Sequence, residues 1–262
     1  MAHCRISAVT LAVLLSVAAG SGSAPATTAV SPKAEAPHPN ILLITLDTTR
    51  ADVLGCYGGD PKVSPNIDRI AGRSHLFERC EASVPQTMPS HTTIFSGLHP
   101  FNHGVRKNLA VVVGPGVPLI AEELHDLGYA TGAFVSSYVV DGRFGFKRGF
   151  DHYDAPDIRP RVGDGMERRA GDTVRLAAEW IATRPTPWFV WVHLFDPHAP
   201  YEPPPPFAGR FADRPYAGEV AYTDNEVGRW IGSCLLYTSP SPRDSTLDLE
   251  CRLLREQAGG GG

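Results

Sequence analysis

Three segments place polar, reactive side chains directly after apolar runs or at the start of a helix. The first is Asp47-Thr48-Thr49-Arg50, which follows the apolar run of residues 40–46. A carboxylate at the end of a buried strand is costly unless it meets a cation, so Asp47 is a candidate metal ligand; the competing reading is an aspartate that caps the next turn. The second is Val84-Pro85-Gln86-Thr87-Met88-Pro89-Ser90-His91. Pro89 suits the first turn of a helix that ends at Gly97, which sets the Thr87 hydroxyl against the helix's free N–H groups, a natural anion site. A threonine there serves as a nucleophile if a metal lowers its pKa, and plain helix capping is the alternative. The third is His193-Leu194-Phe195-Asp196-Pro197-His198. Asp196 and His198, two apart after an apolar run, can share a metal or bind an oxyanion, with loop hydrogen bonding as the alternative. His193, inside the run itself, reads as a satisfied core histidine.

These groups need elements to position them. Residues 40–46 are continuously apolar and β-branched, the pattern of a strand buried on both faces. Such strands belong to parallel sheets covered by helices, with ligands at their carboxyl ends. Ser64 and Pro65 read as the N-cap and first residue of a helix. Residues 119–127 form an amphipathic stretch that stops at Gly128, and 129–136 read as a strand. Residues 172–183 repeat apolar side chains at helical spacing and end before Pro185. Residues 188–194 form a second wholly apolar strand, 202–206 a proline-rich loop and 218–231 a further helix. Alternating strands and helices predict an α/β fold, an α/β/α sandwich around a central, mostly parallel sheet.

The chain has 262 residues, 42% hydrophobic and 20% charged, which excludes wholesale disorder. With 24 basic against 28 acidic side chains and no basic stripe, nothing favours a nucleic-acid partner. Five cysteines do not make a disulfide scaffold, although Cys56 and Cys80 could pair in an oxidising compartment. Residues 1–24 read as a signal peptide, with an apolar run too short for stable membrane insertion, so the protein is expected to be exported, periplasmic or secreted. Residues 25–38 form a flexible linker and 39–232 the catalytic domain. From Cys234 the sequence resembles the conceptual translation of a sequencing adapter, so 233–262 are expected to be a non-native, disordered tail.

The order of motifs adds a resemblance. Asp47-Thr-Thr-Arg50-Ala-Asp52, Leu54-Gly-Cys56-Tyr57-Gly58, Pro65-Asn-Ile-Asp68, Pro89-Ser90-His91, Gly97-Leu98-His99-Pro100, His103-Gly104-Val105, Asp196-Pro197-His198-Ala199-Pro200-Tyr201 and Tyr222-Thr-Asp224 together resemble the sulfatase family of the alkaline phosphatase superfamily. The resemblance covers about residues 38 to 231. It implies an alkaline phosphatase-like sandwich with a divalent metal (Ca, Mg, Mn or Zn) at the carboxyl end of the sheet. The substrate it implies is a small-molecule or glycan ester of sulfate or phosphate. It puts Thr87, His198 and His91 in catalytic positions and Asp47, Thr87 and Asp196 on metal. The chain departs from the family's pattern in four places. Thr87 stands where the family converts a Cys or Ser to formylglycine, and His91 where an arginine follows. Thr48 replaces the second of paired aspartates, and Val135–Tyr138 lack the Lys and His of a sulfate-binding triplet. The family's later Asp-His or Asp-Asn metal pair is not found before Gly232, so the fold is expected to be truncated at its C-terminus. With only Asp47 and Thr87 recognisable as ligands, the sequence predicts weak metal binding and an inactive chain. The resemblance also leaves open a phosphoethanolamine- or phosphoglycerol-type transferase, and a non-catalytic binding protein on the same scaffold.

Overall fold

The computed structural model describes residues 38–156 and 167–237. The expected signal peptide, almost all of the expected linker and residues 238–262 of the expected tail lie outside the described residues. In chain order the elements are β1 (Ile41–Leu46), α1 (Pro65–Ala71), α2 (Thr87–Ser96), α3 (Pro100–His103), α4 (Ile120–Asp126) and β2 (Ala130–Val135). They are followed by β3 (His152–Asp154), α5 (Ala170–Ile181), β4 (Trp188–Leu194), α6 (Phe207–Arg210) and α7 (Pro215–Tyr237). Helix α7 thus continues five residues past Gly232 before the described residues end.

The four strands form one sheet in the order β1-β4-β2-β3, and each pairing is parallel. The two apolar runs that the sequence marks as strands, β1 and β4, are neighbours, with Leu46 opposite Leu194 and Thr45 opposite His193. Their apolar character on both faces follows from the two layers that cover them. On one face Met88 and Phe95 of α2 and Leu124 of α4 pack with Phe189 and Trp191. On the other, Val174 and Trp180 of α5 and Val227 and Trp230 of α7 pack with Val190, Val192 and Leu194. The result is the α/β/α sandwich that the periodicity predicts, and it brings the loops after β1 and β4 side by side at the carboxyl edge of the sheet.

Helix ends depart from the sequence reading in instructive ways. Pro65 opens α1 as expected and Ser64 holds the N-cap position, but the Ser64 side chain makes no cap. Its hydroxyl accepts from Gly55 N–H at 2.8 Å and donates to Asp68 at 3.0 Å. The orphan N–H groups of α1 are met instead by Asp224 of α7, which accepts from Ile67 N–H at 2.8 Å and from the Asn66 N–H and side-chain amide. Gly228 allows this approach, because a Cβ there would fall 2.2 Å from Asn66 Cγ. Helix α2 begins at Thr87, two residues before the expected start, with Pro89 still in its first turn, and ends at Gly97 in left-handed conformation. No disulfide joins Cys56 and Cys80.

Because Asp224 satisfies buried donors from a second helix, Asp224→Ala leaves them unpaired. It is expected to lower unfolding free energy by about 2 kcal/mol, read by denaturant titration. A loss below about 0.5 kcal/mol would mean that water replaces the carboxylate without cost.

Candidate active site

The loop after β1 is held in an unusual shape. Thr48 adopts φ 57°, a left-handed conformation that a β-branched residue rarely takes. Local bonds hold it there. Thr48 N–H donates to Asp47 Oδ1 at 2.8 Å, and its hydroxyl lies 2.7 Å from the carbonyl of Pro197 in the loop after β4. Tyr216 of α7 donates to the Thr48 carbonyl at 2.9 Å. The Thr48 hydroxyl therefore joins the two loops.

Asp47 itself is buried, and its Oδ2 lies 3.2 Å from His193 Nε2 at the end of β4. Burial would raise the Asp47 carboxyl. The His193 hydrogen bond, the nearby His91 and His193 rings and the Thr87 hydroxyl together outweigh it and bring the group down to about 2. Burial pushes His193 down in turn, partly offset by Asp47. The two groups thus share a buried hydrogen bond in which Asp47 stays ionised.

His91 approaches from the first turns of α2. Its Nδ1 lies 2.8 Å from the Thr87 carbonyl, which can only accept, so Nδ1 carries the hydrogen and Nε2 the lone pair. That Nε2 is buried with no hydrogen-bond partner. The His91 and His193 rings meet edge-on with centroids 4.9 Å apart. One ligand atom each from Asp47, His91 and His193 lies within 4.8 Å of the others. An anionic oxygen and two imidazoles, one with an unused buried lone pair, fit a divalent metal. Thr87, also buried, stands at the head of the same helix with its hydroxyl against Asp47. Its anion site is narrower than the sequence suggests: Asn108 Oδ1 takes the Met88 N–H at 2.8 Å, and Pro89 has none.

Asp196 and His198 fall in a neighbouring cluster and are not among the three grouped ligands. Asp196 Oδ1 accepts the Ala170 N–H at the start of α5 at 3.0 Å, and its Oδ2 is buried without a partner. Burial lifts its carboxyl to about 6, against the pull of that N–H. His198 pairs through Nδ1 with Glu167 Oε1 at 2.6 Å and stacks on Phe195 at 4.3 Å. The Glu167 carboxylate raises the His198 imidazole's pKa despite partial burial. Glu219 of α7, also buried, accepts the Glu202 N–H at 2.9 Å and lies 3.7 Å from Arg169.

Sequence reasoning finds Asp47, Thr87, His91, Asp196 and His198 but passes over His193, Glu167 and Glu219. His193 has one readable signal, since a polar residue on a buried parallel strand beside the strand that ends in Asp47 will meet it when the two register. Glu219 has none, because its partner Glu202 lies in the proline-rich loop and only the fold brings them together.

A family model described as Sulfatase matches residues 39–233. Arylsulfatase G of Rattus norvegicus is 30% identical over 131 residues, 47% of this chain and 25% of that protein. The N-acetylglucosamine-6-O-sulfatase of Bacteroides thetaiotaomicron is 27% identical over 132 residues, 50% of this chain and 23% of that protein. The chain thus spans about a quarter of the length of these curated relatives. Among solved structures, the phosphonate monoester hydrolase of Agrobacterium radiobacter superposes with TM-score 0.62 at 18% identity, covering 76% of this chain and 59% of that one. A Vibrio parahaemolyticus protein of the alkaline phosphatase superfamily gives 0.61 at 20% identity, covering 75% and 50%. At these identities the structural matches establish the shared α/β fold.

Burial carries the Glu219 carboxyl from 4.5 up to about 7. A carboxyl raised on folding contributes stability that is full below pH 4.5 and is lost as pH rises through 7. Glu219→Gln is therefore expected to flatten the decline of stability between these values, measured by denaturant unfolding at several pH values. An unchanged slope would show that Glu219 is not the source of the decline.

Proposed function

The chain belongs to the sulfatase family, and from that premise we propose that it carries the nucleophile of a metal-dependent hydrolase of sulfate or phosphate esters. One observation supports the reading most: the Thr87 hydroxyl lies against an ionised, buried Asp47 at the carboxyl end of a parallel sheet. In this reading Thr87 gives up its hydroxyl proton to solvent, Oγ1 attacks the sulfur or phosphorus to form a threonine ester, and the bond to the leaving alcohol oxygen breaks. His198, whose pKa Glu167 raises, gives its proton to that oxygen. Water, giving one proton back to His198, then cleaves the threonine ester, which releases sulfate or phosphate and restores the hydroxyl. His91 and His193 hold the Asp47 side of the pocket from two elements, so the nucleophile and the carboxylate keep one geometry. A bound divalent metal supplies the charge that lowers the threonine pKa and stabilises the developing negative charge.

Threonine in place of the formylglycine precursor favours phosphate among the two esters, because a plain hydroxyl nucleophile gives a stable phosphothreonine. Asp196, with one buried oxygen unpartnered, is a candidate for a second metal, which suits phosphoryl transfer. The sulfated sugar named for the Bacteroides relative motivates a sugar ester as substrate. The signal-peptide pattern of residues 1–24 supports export, and among the described residues no helix is long and apolar enough to cross a membrane.

The assay, on a protein that also carries the family's later metal pair, is hydrolysis of an aryl phosphate and an aryl sulfate with added divalent metal, with Thr87 and with Thr87→Ala. The replacement is expected to lower the rate about 1,000-fold or more. Full activity in Thr87→Ala would remove Thr87 as the nucleophile, whichever ester is cleaved.

A further inference from the structure

We propose that Asp47, His91 and His193 form a two-histidine, one-carboxylate metal face that takes a zinc-class transition ion in preference to calcium or magnesium. The proposal rests on the reading of Asp47 as a metal ligand and deepens it by naming two nitrogen ligands and the class of ion they select.

The donor atoms carry the argument. Hard cations take six or more oxygens, whereas imidazole suits zinc, iron, nickel and copper. Two of the three atoms here are imidazole nitrogens, and all three residues are buried. His91 is fixed in the tautomer a metal needs, since the Thr87 carbonyl holds its Nδ1 hydrogen and leaves the Nε2 lone pair without a partner. An N–H held by a carbonyl behind the ring is the usual support of a ligating histidine. Asp47 has its Oδ1 held by the Thr48 N–H, which leaves Oδ2 toward His193.

Oδ2 and His193 Nε2 stand 3.2 Å apart. Two ligands at about 2.1 Å on a tetrahedral ion stand about 3.4 Å apart, so an ion fits between these atoms with little movement once the His193 hydrogen moves to Nδ1, which is buried without a hydrogen-bond partner. The three ligand atoms lie within 4.8 Å of one another, wider than the roughly 3.4 Å of a tetrahedral ion, so the third ligand must draw in when an ion binds. Aromatic packing sets the rings: His193 stacks on Phe195 with centroids 5.8 Å apart, and Trp191 lies 5.7 Å from His91. Three protein ligands leave a coordination position open, the arrangement of catalytic rather than structural zinc sites. The Thr87 hydroxyl, on the residue whose carbonyl orients His91, lies against Asp47.

The test uses the full chain, stripped of metal by a chelator and titrated calorimetrically with Zn²⁺ and, separately, Ca²⁺. One equivalent of Zn²⁺ is expected to bind, at least about 100-fold more tightly than Ca²⁺. His91→Gln and His193→Gln are each expected to weaken Zn²⁺ binding about tenfold or more. Thermal unfolding confirms that the variants are folded. Co²⁺ added to the unmodified protein supplies a reading independent of any variant. Intense visible bands of a low-coordinate, nitrogen-ligated ion are expected, and the pale spectrum of six-coordinate Co²⁺ would overturn the proposal. So would absent Zn²⁺ binding, tighter Ca²⁺ binding, or Zn²⁺ binding unchanged in both folded variants. Thr87→Ala separates the two readings: retained Zn²⁺ binding with lost turnover supports both, while retained turnover removes the nucleophile and leaves the metal face standing.

Discussion

A buried negative charge that the fold refuses to neutralise organises this molecule. Asp47 ends a strand whose other residues are apolar, and desolvation pushes its carboxyl toward the protonated form. It stays ionised because His193, His91 and Thr87 converge on it from β4 and α2. Such an arrangement is costly for stability alone, where an apolar residue would pack at least as well. It is economical only where the charge has a cation or a developing positive centre to meet.

The surrounding architecture serves that charge. Parallel pairing of β1 with β4 puts Asp47 and His193 at the same edge, and the Thr48 hydroxyl ties the loops beyond both strands together. A strained threonine at φ 57° is the cost of that tie, and Tyr216 from α7 braces it. Helix α7 is therefore more than a cover for the sheet. It braces this loop through Tyr216, contributes the buried Glu219 near Arg169, and caps α1 through Asp224. In the neighbouring loop, Glu167 lies 2.6 Å from His198 and raises the pKa of its imidazole, whereas burial lowers that of His193 beside Asp47.

Much of this was legible in the sequence, for reasons that differ from residue to residue. The strands β1 and β4 announce themselves because a strand buried on both faces must be apolar throughout. Gly97 and Gly128 mark helix ends because left-handed backbone there favours glycine. Asp47, Thr87 and His198 stand out as polar groups placed where apolar runs stop, and their order along the chain carried the family resemblance. What escaped depends on long-range pairing. His193 looks like any core histidine until the register sets it against Asp47. Ser64 satisfies the local rule for a cap, yet Asp224, more than 150 residues away, takes that role. The Thr87 hydroxyl was placed against the free N–H groups of α2, and Asn108 occupies one of them. Local rules name the candidate groups, and the sheet order decides which of them meet.

The central claim is that Asp47 persists as a buried anion flanked by His91 and His193. Its most direct test is an NMR titration of the Asp47 side-chain carboxyl carbon in the metal-free protein. At pH 3.8, where an ordinary aspartate is half protonated, the carboxyl is predicted to remain almost wholly ionised. A resonance already half or more protonated at that pH would contradict the account.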